Sequence, residues 1–408
     1  MNRRHFLASL AGGMPLVNRN LLAQAKGLHL KITGLKTIVV NVGNVNWAFC
    51  KVLTDQGISG LGEGSITSKE ATLSAAIMEQ ERYLLGKDPA DIELHWQAMF
   101  RWPRWRGGPI LNSAISAVEI ALWDIVGKGL GVPIYKLLGG KARQRVRLYK
   151  DVGGATVEQL VSAFQQAKSE GYTAAKAGFV RVENDLIRPA YAVREGHKRM
   201  EAVRKALGDD FDICSDEHGK LTTVMAVDFC TRVEELRPLF VEEATQLEDL
   251  GELQHLRQKT KVPLATGERS FTKYGFADFC SRHLVDYVQP DVCHAGGILE
   301  MKKIGTLAET YRVEMAPHNP QSMVSTLASL HVDATTPACT IQEFNPNSQQ
   351  WVMDLFYGYQ HPVKDGYAAL PEKPGLGVDL DEKVAAAHPY KPVTRSRYVF
   401  GDGAVADH

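Results

Sequence analysis

Between Leu28 and Val42 the string LHLKITGLKTIVVNV alternates apolar and polar positions and is rich in β-branched residues. WAFCKVLTDQG follows, and ISGLGEGSI resumes after the Asp55-Gln56-Gly57 turn. Alternation with period two bounded by turn residues predicts a small antiparallel meander. From Lys69 to about Leu138 the apolar spacing changes to the helical period, in ATLSAAIMEQERYLL and ILNSAISAVEIALWDIVGKGLG, and closes on glycines and Pro133. The first third is therefore expected to be an α+β unit, over 28–140.

After Arg147 short apolar runs, each followed by a helical stretch, recur at nearly regular intervals. Strands are predicted at Arg147–Tyr149, Thr173–Lys176, Phe211–Cys214, Leu239–Val241, Leu264–Thr266, Tyr287–Gln289, Val313–Ala316 and Thr340–Gln342. Strand alternating with helix in this way is the pattern of a parallel α/β barrel. The expected architecture is a (β/α)7β TIM-type barrel over 146–350. It carries the α+β N-terminal capping domain, which a C-terminal segment over 351–408 completes by folding back onto barrel or cap.

The stretch from Met1 to Ala25 breaks the pattern. Paired Arg3-Arg4 precede the apolar, small-residue run from Phe6 to Val17, and Ala23-Gln24-Ala25 offers a cleavage site. That run is shorter than the roughly 20 residues a bilayer-spanning helix needs. RRHFLASL resembles a twin-arginine export signal, an address rather than an anchor. The expectation is a periplasmic protein without a membrane anchor, with a cytoplasmic one as the alternative.

Composition narrows the partners. Lys+Arg and Asp+Glu are both 47, so the formal net charge is zero and no field of one sign recruits nucleic acid. Hydrophobic residues at 44% are enough to build a large core. The six cysteines contain no C-x-x-C pair, so they read as buried thiols rather than a zinc site.

Candidate chemistry sits where the predicted strands end. Asp216, Glu242, Glu268, Asp291, His318 and Glu343 close successive strands at nearly equal steps along the chain. Each step is long enough for one strand-helix unit, so each group is expected at the C-terminal mouth of the barrel, where such folds build active sites. Asp216, Glu242 and Glu268 on three consecutive strands would crowd three carboxylates together, and like charges so close require a cation between them. Hard oxygen ligands without thiolates select Mg2+.

In these residues and the strings around them the chain resembles the enolase superfamily, in its mandelate racemase-like branch. SDEHG, FVEEA, ATGERSF, VQPDVCHAGGI and MAPHNP each match a signature of that family, in order, and GGPILNSAISAVEIALWDIVGKGLGVPIYKLLGG adds a match in the first domain. The resemblance implies Mg2+ on Asp216, Glu242 and Glu268, and abstraction of a proton α to a carboxylate to give an enediolate. His318 with Asp291 resembles the family's base dyad. Racemases of the branch use a second lysine two residues after the first on strand two, where this chain has Gly178 after Lys176, which disfavours two-base racemisation or epimerisation. The Asp216-Glu217-His218 string instead resembles acid-sugar dehydratases, in which such a histidine protonates the departing β-hydroxyl.

Dehydration of an aldonic acid to a 2-keto-3-deoxy acid is therefore the expected reaction, D-galactonate dehydratase-like. The tail and the RWRGGP segment resemble D-mannonate dehydratases, so D-mannonate or D-gluconate dehydration is kept as an alternative. A noncatalytic periplasmic sugar-acid binding protein is the alternative of another class. Glu343 is expected on the enediolate side, Lys176 at the substrate carboxylate and His294 at a sugar hydroxyl. Arg106 lies in the cluster Arg101, Trp102, Arg104, Trp105 and Arg106, a loop over an anionic substrate or a subunit contact. The resemblance further implies a homo-oligomer, commonly an octamer.

Overall fold

The structure is a computed structural model that describes residues 28–345, 347, 349–358, 363–394 and 397–407. The expected export signal lies outside the described residues.

The chain begins with an antiparallel meander of β1 (Ile32–Asn41), β2 (Asn46–Thr54) and β3 (Ser59–Glu63). It packs on the helix Pro109–Leu130, which starts with Pro at its first turn and ends on left-handed Gly131. That helix is long and apolar enough to cross a membrane, yet 83% of its most apolar window is buried inside the protein. The contact between β3 and this helix is unusually close because of the string Gly60-Leu61-Gly62-Glu63-Gly64. A Cβ at Gly60 or Gly62 would overlap the carbonyl oxygen of Ala121 or Ala117. Only glycine allows backbone to meet backbone here.

The barrel follows: β4 (Arg145–Asp151), β5 (Ala174–Ala177), the short off-barrel β6 (Leu186–Ile187), β7 (Asp212–Asp216), β8 (Phe240–Glu242), β9 (Leu264–Thr266), β10 (Tyr287–Val288), β11 (Glu314–Met315) and β12 (Gln342–Phe344). The eight barrel strands pair in parallel from β4 through β5, β7, β8, β9 and β10 to β11, and β12 pairs back onto β4. Between β11 and β12 the closure is made by Met315 N donating to Ala338 O at 2.8 Å and Thr340 N donating to Met315 O at 3.0 Å. The expected (β/α)7β barrel with its cap is what forms.

The eighth strand is displaced from its expected place at Thr340–Gln342. Residues 338–340 contact β11, and the ladder with β4 comes two residues later. The barrel interior below the mouth is filled by Tyr149, Ala174, Cys214, Phe240, Ala265, Ala316 and Ile341. Its alanines leave room for the Tyr149, Phe240 and Tyr287 rings, whose neighbouring centroids lie 6.0 and 5.3 Å apart. All six cysteines are buried and free, as expected of small apolar side chains.

The C-terminal segment returns to both parts. Its strand Tyr367–Ala369 runs antiparallel to β4. Further on, Glu382 pairs with Lys36 and Lys51 of the meander, and Asn41 N donates to His388 O at 2.9 Å.

Cap and barrel are joined by two buried carboxylates seated on helix N-termini. Glu63 accepts from Ser325 N at 3.1 Å and Ser322 Oγ at 2.5 Å, at the start of the helix Met323–Asp333. Glu119 accepts from Ile298 N at 2.7 Å and Leu299 N at 2.9 Å, at the start of the helix Ile298–Tyr311. Helix N-termini favour negative charge. Burial opposes it, and pushes the Glu63 carboxyl up to about 7 and that of Glu119 up to about 8.

A carboxyl raised on folding takes up a proton at pH values where the unfolded chain has lost it. Its contribution to stability is full below the unfolded value, near pH 4, and fades as pH rises through 7 to 8. Glu119→Gln is expected to flatten the dependence of unfolding free energy on pH between 5 and 7 by up to about 1.4 kcal/mol per pH unit. Urea denaturation of variant and wild type across that range measures it, and parallel curves would refute the assignment.

Candidate active site

The C-terminal ends of the barrel strands carry the series the spacing implied. Asp216 and Glu242 are the last residues of β7 and β8, and Asp216 stands opposite Glu242 in the ladder. Glu268 follows β9 by two residues, Asp291 and His318 follow β10 and β11 by three, and Glu343 is the middle residue of β12.

At the centre stands Lys176, from β5. Its buried Nζ lies 2.8 Å from Asp216 Oδ2, 3.2 Å from Glu242 Oε2 and 3.0 Å from Glu343 Oε1. Burial alone would discharge an ammonium, but these three carboxylates hold it well above the usual lysine range. The same charges divide the acids. Burial would raise Asp216, but Lys176 and His218 hold it well below the carboxylate range. Burial and the neighbouring Asp216 push Glu242 well above that range. Glu343 is fixed on its other oxygen by Asn319 N at 2.8 Å.

Two histidines flank Glu268. His318 Nδ1 donates to the fully buried Asp291 Oδ2 at 2.7 Å, and its Nε2 lies 3.2 Å from Glu268 Oε2. Burial would lower this imidazole, but Glu268, Glu343 and Asp291 together raise it well above the ordinary histidine value. On the other side, His218 Nδ1 lies 3.1 Å from Asp216 Oδ1. Its backbone is left-handed, φ 51°, and half of its side chain is exposed.

Ligand atoms of Asp216, His218 and Glu268 lie within 4.8 Å of one another, which makes this trio a candidate metal site. Glu242, expected as a ligand, is drawn to Lys176. Even so, the buried Glu242 Oε2 and Glu268 Oε2 accept no well-formed hydrogen bond from the described residues, their contacts being the 3.2 Å ion pairs to Lys176 Nζ and His318 Nε2. Buried carboxylate oxygens without donors are costly unless a cation meets them.

The remaining expected residues divide. His294 belongs to the mouth, 3.6 Å from Asp291, but both ring nitrogens are engaged: Nδ1 shares a 2.9 Å hydrogen bond with Ser113 Oγ of the cap, and Nε2 meets Gln321 at 3.2 Å. Burial lowers its imidazole below the ordinary value. Arg106 is not brought to the carboxylates. It lines a cavity of about 360 Å3 with Arg82, Tyr83, Phe100, Arg104 and Trp105, all capping-domain residues, and its guanidinium lies 5.5 Å from the Phe100 ring centre.

Sequence reasoning missed Ser113, Asn319 and Glu217. Glu217, between the two residues singled out on its loop, is fully buried and accepts from Phe179 N, Val180 N and Ser215 Oγ. A second acid inside the Asp216-Glu217-His218 string was the available signal.

Comparison with known proteins agrees with this geometry. Residues 28–139 match the N-terminal domain of mandelate racemase / muconate lactonizing enzyme, and residues 159–384 match the enolase C-terminal domain-like family. The chain belongs to the enolase superfamily. Among its relatives, it is 37% identical over 358 residues to a D-galactonate dehydratase of Ralstonia pickettii, covering 86% of this chain and 93% of that one. It is 38% identical over 369 residues to a D-galactonate dehydratase of Xanthomonas oryzae pv. oryzae, covering 88% and 96%.

Solved structures similar to it include an enolase from Pantoea ananatis with bound D-gluconate and Mg, at TM-score 0.87 and 29% identity, covering 93% of this chain and 100% of that one. Another is a member of the enolase superfamily from Salmonella Typhimurium, at TM-score 0.84 and 31% identity, covering 88% and 98%.

Proposed function

We propose that the protein is a carbon–oxygen lyase that removes water from an aldonic acid, D-galactonate or a close diastereomer, giving the 2-keto-3-deoxy acid with Mg2+ as cofactor. The observation that carries this reading is the placement of two imidazoles, His318 and His218, on either side of Glu268. One base and one acid across a shared carboxylate cluster suit elimination, in which one carbon loses a proton and its neighbour loses hydroxide. The D-galactonate dehydratase relatives support the same substrate class.

Asp216, Glu242 and Glu268 would hold the ion. Their oxygens suit a hard cation, and the His218 nitrogen is a poor fourth ligand for it, which leaves that imidazole for proton transfer. Bound there, Mg2+ supplies Lewis-acid stabilisation of the negative charge that develops on the substrate carboxylate.

The chain's own groups perform the rest. Lys176 presents a fixed positive charge to the substrate carboxylate. Asp291 holds His318 by Nδ1, so Nε2, which lies 3.2 Å from Glu268 Oε2, is the nitrogen that would take the C2 proton. The electron pair left at C2 forms the C2–C3 double bond as the C3–O bond breaks, and His218 gives its proton to the leaving hydroxyl, which departs as water. The resulting enol rearranges to the ketone. Glu343, held by Asn319, faces the same site and would orient the enediolate.

Two measurements test this assignment together. A panel of hexonates and pentonates with Mg2+ is expected to contain at least one acid converted to a 2-keto-3-deoxy product. His218→Asn is expected to keep exchange of the C2 proton with D2O while losing dehydration by about 100-fold or more. Turnover of no acid sugar would refute the function, and unchanged dehydration in the variant would refute the role of His218.

A further inference from the structure

Behind the candidate site the loops after β7, β8 and β9 are tied by a closed ring. Arg269 follows Glu268, and its Nη2 lies 2.6 Å from Glu243 Oε2. Arg269 Nη1 donates to Gln246 Oε1 at 2.7 Å, and Gln246 Nε2 donates to Gly219 O at 2.8 Å. Gly219 N in turn donates to Glu243 O at 2.7 Å. Each loop that carries a candidate ligand thus contributes to the ring, and Gly219 is the residue that follows His218.

Two further features show that the ring constrains backbone rather than decorating it. His218 and Glu243 are both left-handed, at φ 51° and 43°, a conformation that non-glycine residues hold only when their surroundings enforce it. Gly219, at φ 68°, has no room for a side chain, because a Cβ there would overlap Arg269 Nη2 and stand 2.9 Å from Gln246 Cδ. Arg269 therefore passes directly against the peptide that sets the direction of the His218 side chain.

We infer that Arg269, through Glu243 and Gln246, is a positioning residue that fixes the His218 imidazole relative to Asp216 and Glu268. The inference rests on the proposed function in taking His218 as the proton donor. Arg269 does not touch the reacting atoms. It braces Glu243, whose backbone carbonyl accepts from Gly219 N, and Gln246, which donates to Gly219 O, so that the exposed imidazole before Gly219 keeps one orientation.

The experiment compares C2-proton exchange with dehydration in the full-length protein carrying Arg269→Met or Gln246→Ala. Because Gln246 is only part-buried, its variant keeps the fold accessible to test. Arg269→Met is expected to leave exchange near wild type while lowering dehydration about 10- to 100-fold, the size of effect that a misplaced catalytic group produces. Gln246→Ala should shift the ratio in the same direction by a smaller factor. Mg2+ affinity measured by calorimetry should be unchanged in both, since Asp216, Glu242 and Glu268 keep their contacts to Lys176 and His318.

Equal loss of exchange and dehydration, or an unchanged ratio in both variants, would overturn the inference. If the wild type processes no aldonate, the functional reading falls instead. The ring is then judged on the His218 ring-proton resonance, assigned with His218→Asn. A displaced or broadened resonance in Arg269→Met supports it, and an identical one overturns it.

Discussion

In D2O, His318→Asn is expected to lose exchange of the substrate C2 proton by about 10²- to 10⁴-fold, the range general-base catalysis supplies. The reason is local. Asp291 is fully buried and bonded to His318 Nδ1 at 2.7 Å, so the imidazole is fixed in plane and tautomer, with Nε2 pointing to the carboxylate cluster. Asn retains a donor that can reach Asp291 and so avoids stranding a buried carboxylate, but it has no basic nitrogen at the Nε2 position. The thermal melt of this variant should therefore stay close to wild type while proton NMR shows the C2 signal persisting. Loss of that signal at the wild-type rate would remove His318 from the mechanism.

The second large effect is on stability. Lys176→Met takes a buried ammonium from between Asp216, Glu242 and Glu343 and leaves their charges unopposed. Removing one partner of a buried ion pair typically costs about 3–5 kcal/mol. In the presence of chelator the variant should unfold at far lower denaturant than wild type. A cation that binds the folded state alone stabilises it by mass action, about 2.7 kcal/mol at a concentration 100 times its Kd. Added Mg2+ is thus expected to return part of the loss, and to raise the variant's midpoint more than that of wild type. Identical midpoints under chelation would show that Lys176 does not balance these acids.

Much of the barrel was legible because its signal is periodic. One polar residue after each apolar run, at nearly equal intervals, marks where each strand leaves the barrel, and the observed strands begin or end close to those expected. The eighth strand departs furthest because it meets its two neighbours at different points, β11 through residues 338–340 and β4 through Gln342–Phe344.

The interior of the site was less legible. That Lys176 would sit among three carboxylates depends on side-chain directions from four strands, which no spacing encodes. Glu242 and Glu243 are adjacent and chemically alike, yet one turns to Lys176 and the other to Arg269. The links from the cap, Ser113 to His294 and Glu119 to Ile298, join residues far apart in the chain and have no local signature. Arg106 illustrates the converse. Its neighbours suggested a loop over an anionic substrate or a subunit contact, and the structure places it in a cavity of the cap beside Tyr83 and Phe100.

Purified protein incubated with D-galactonate and Mg2+ in D2O, followed by proton NMR with and without chelator, decides whether this mouth removes water from an aldonate by way of its α-proton. Dehydration by that route gives a 2-keto-3-deoxy product that carries deuterium at C3, and its formation stops with chelator. Complete absence of product and of C2 exchange, for D-galactonate and each of its diastereomers, would rule that chemistry out.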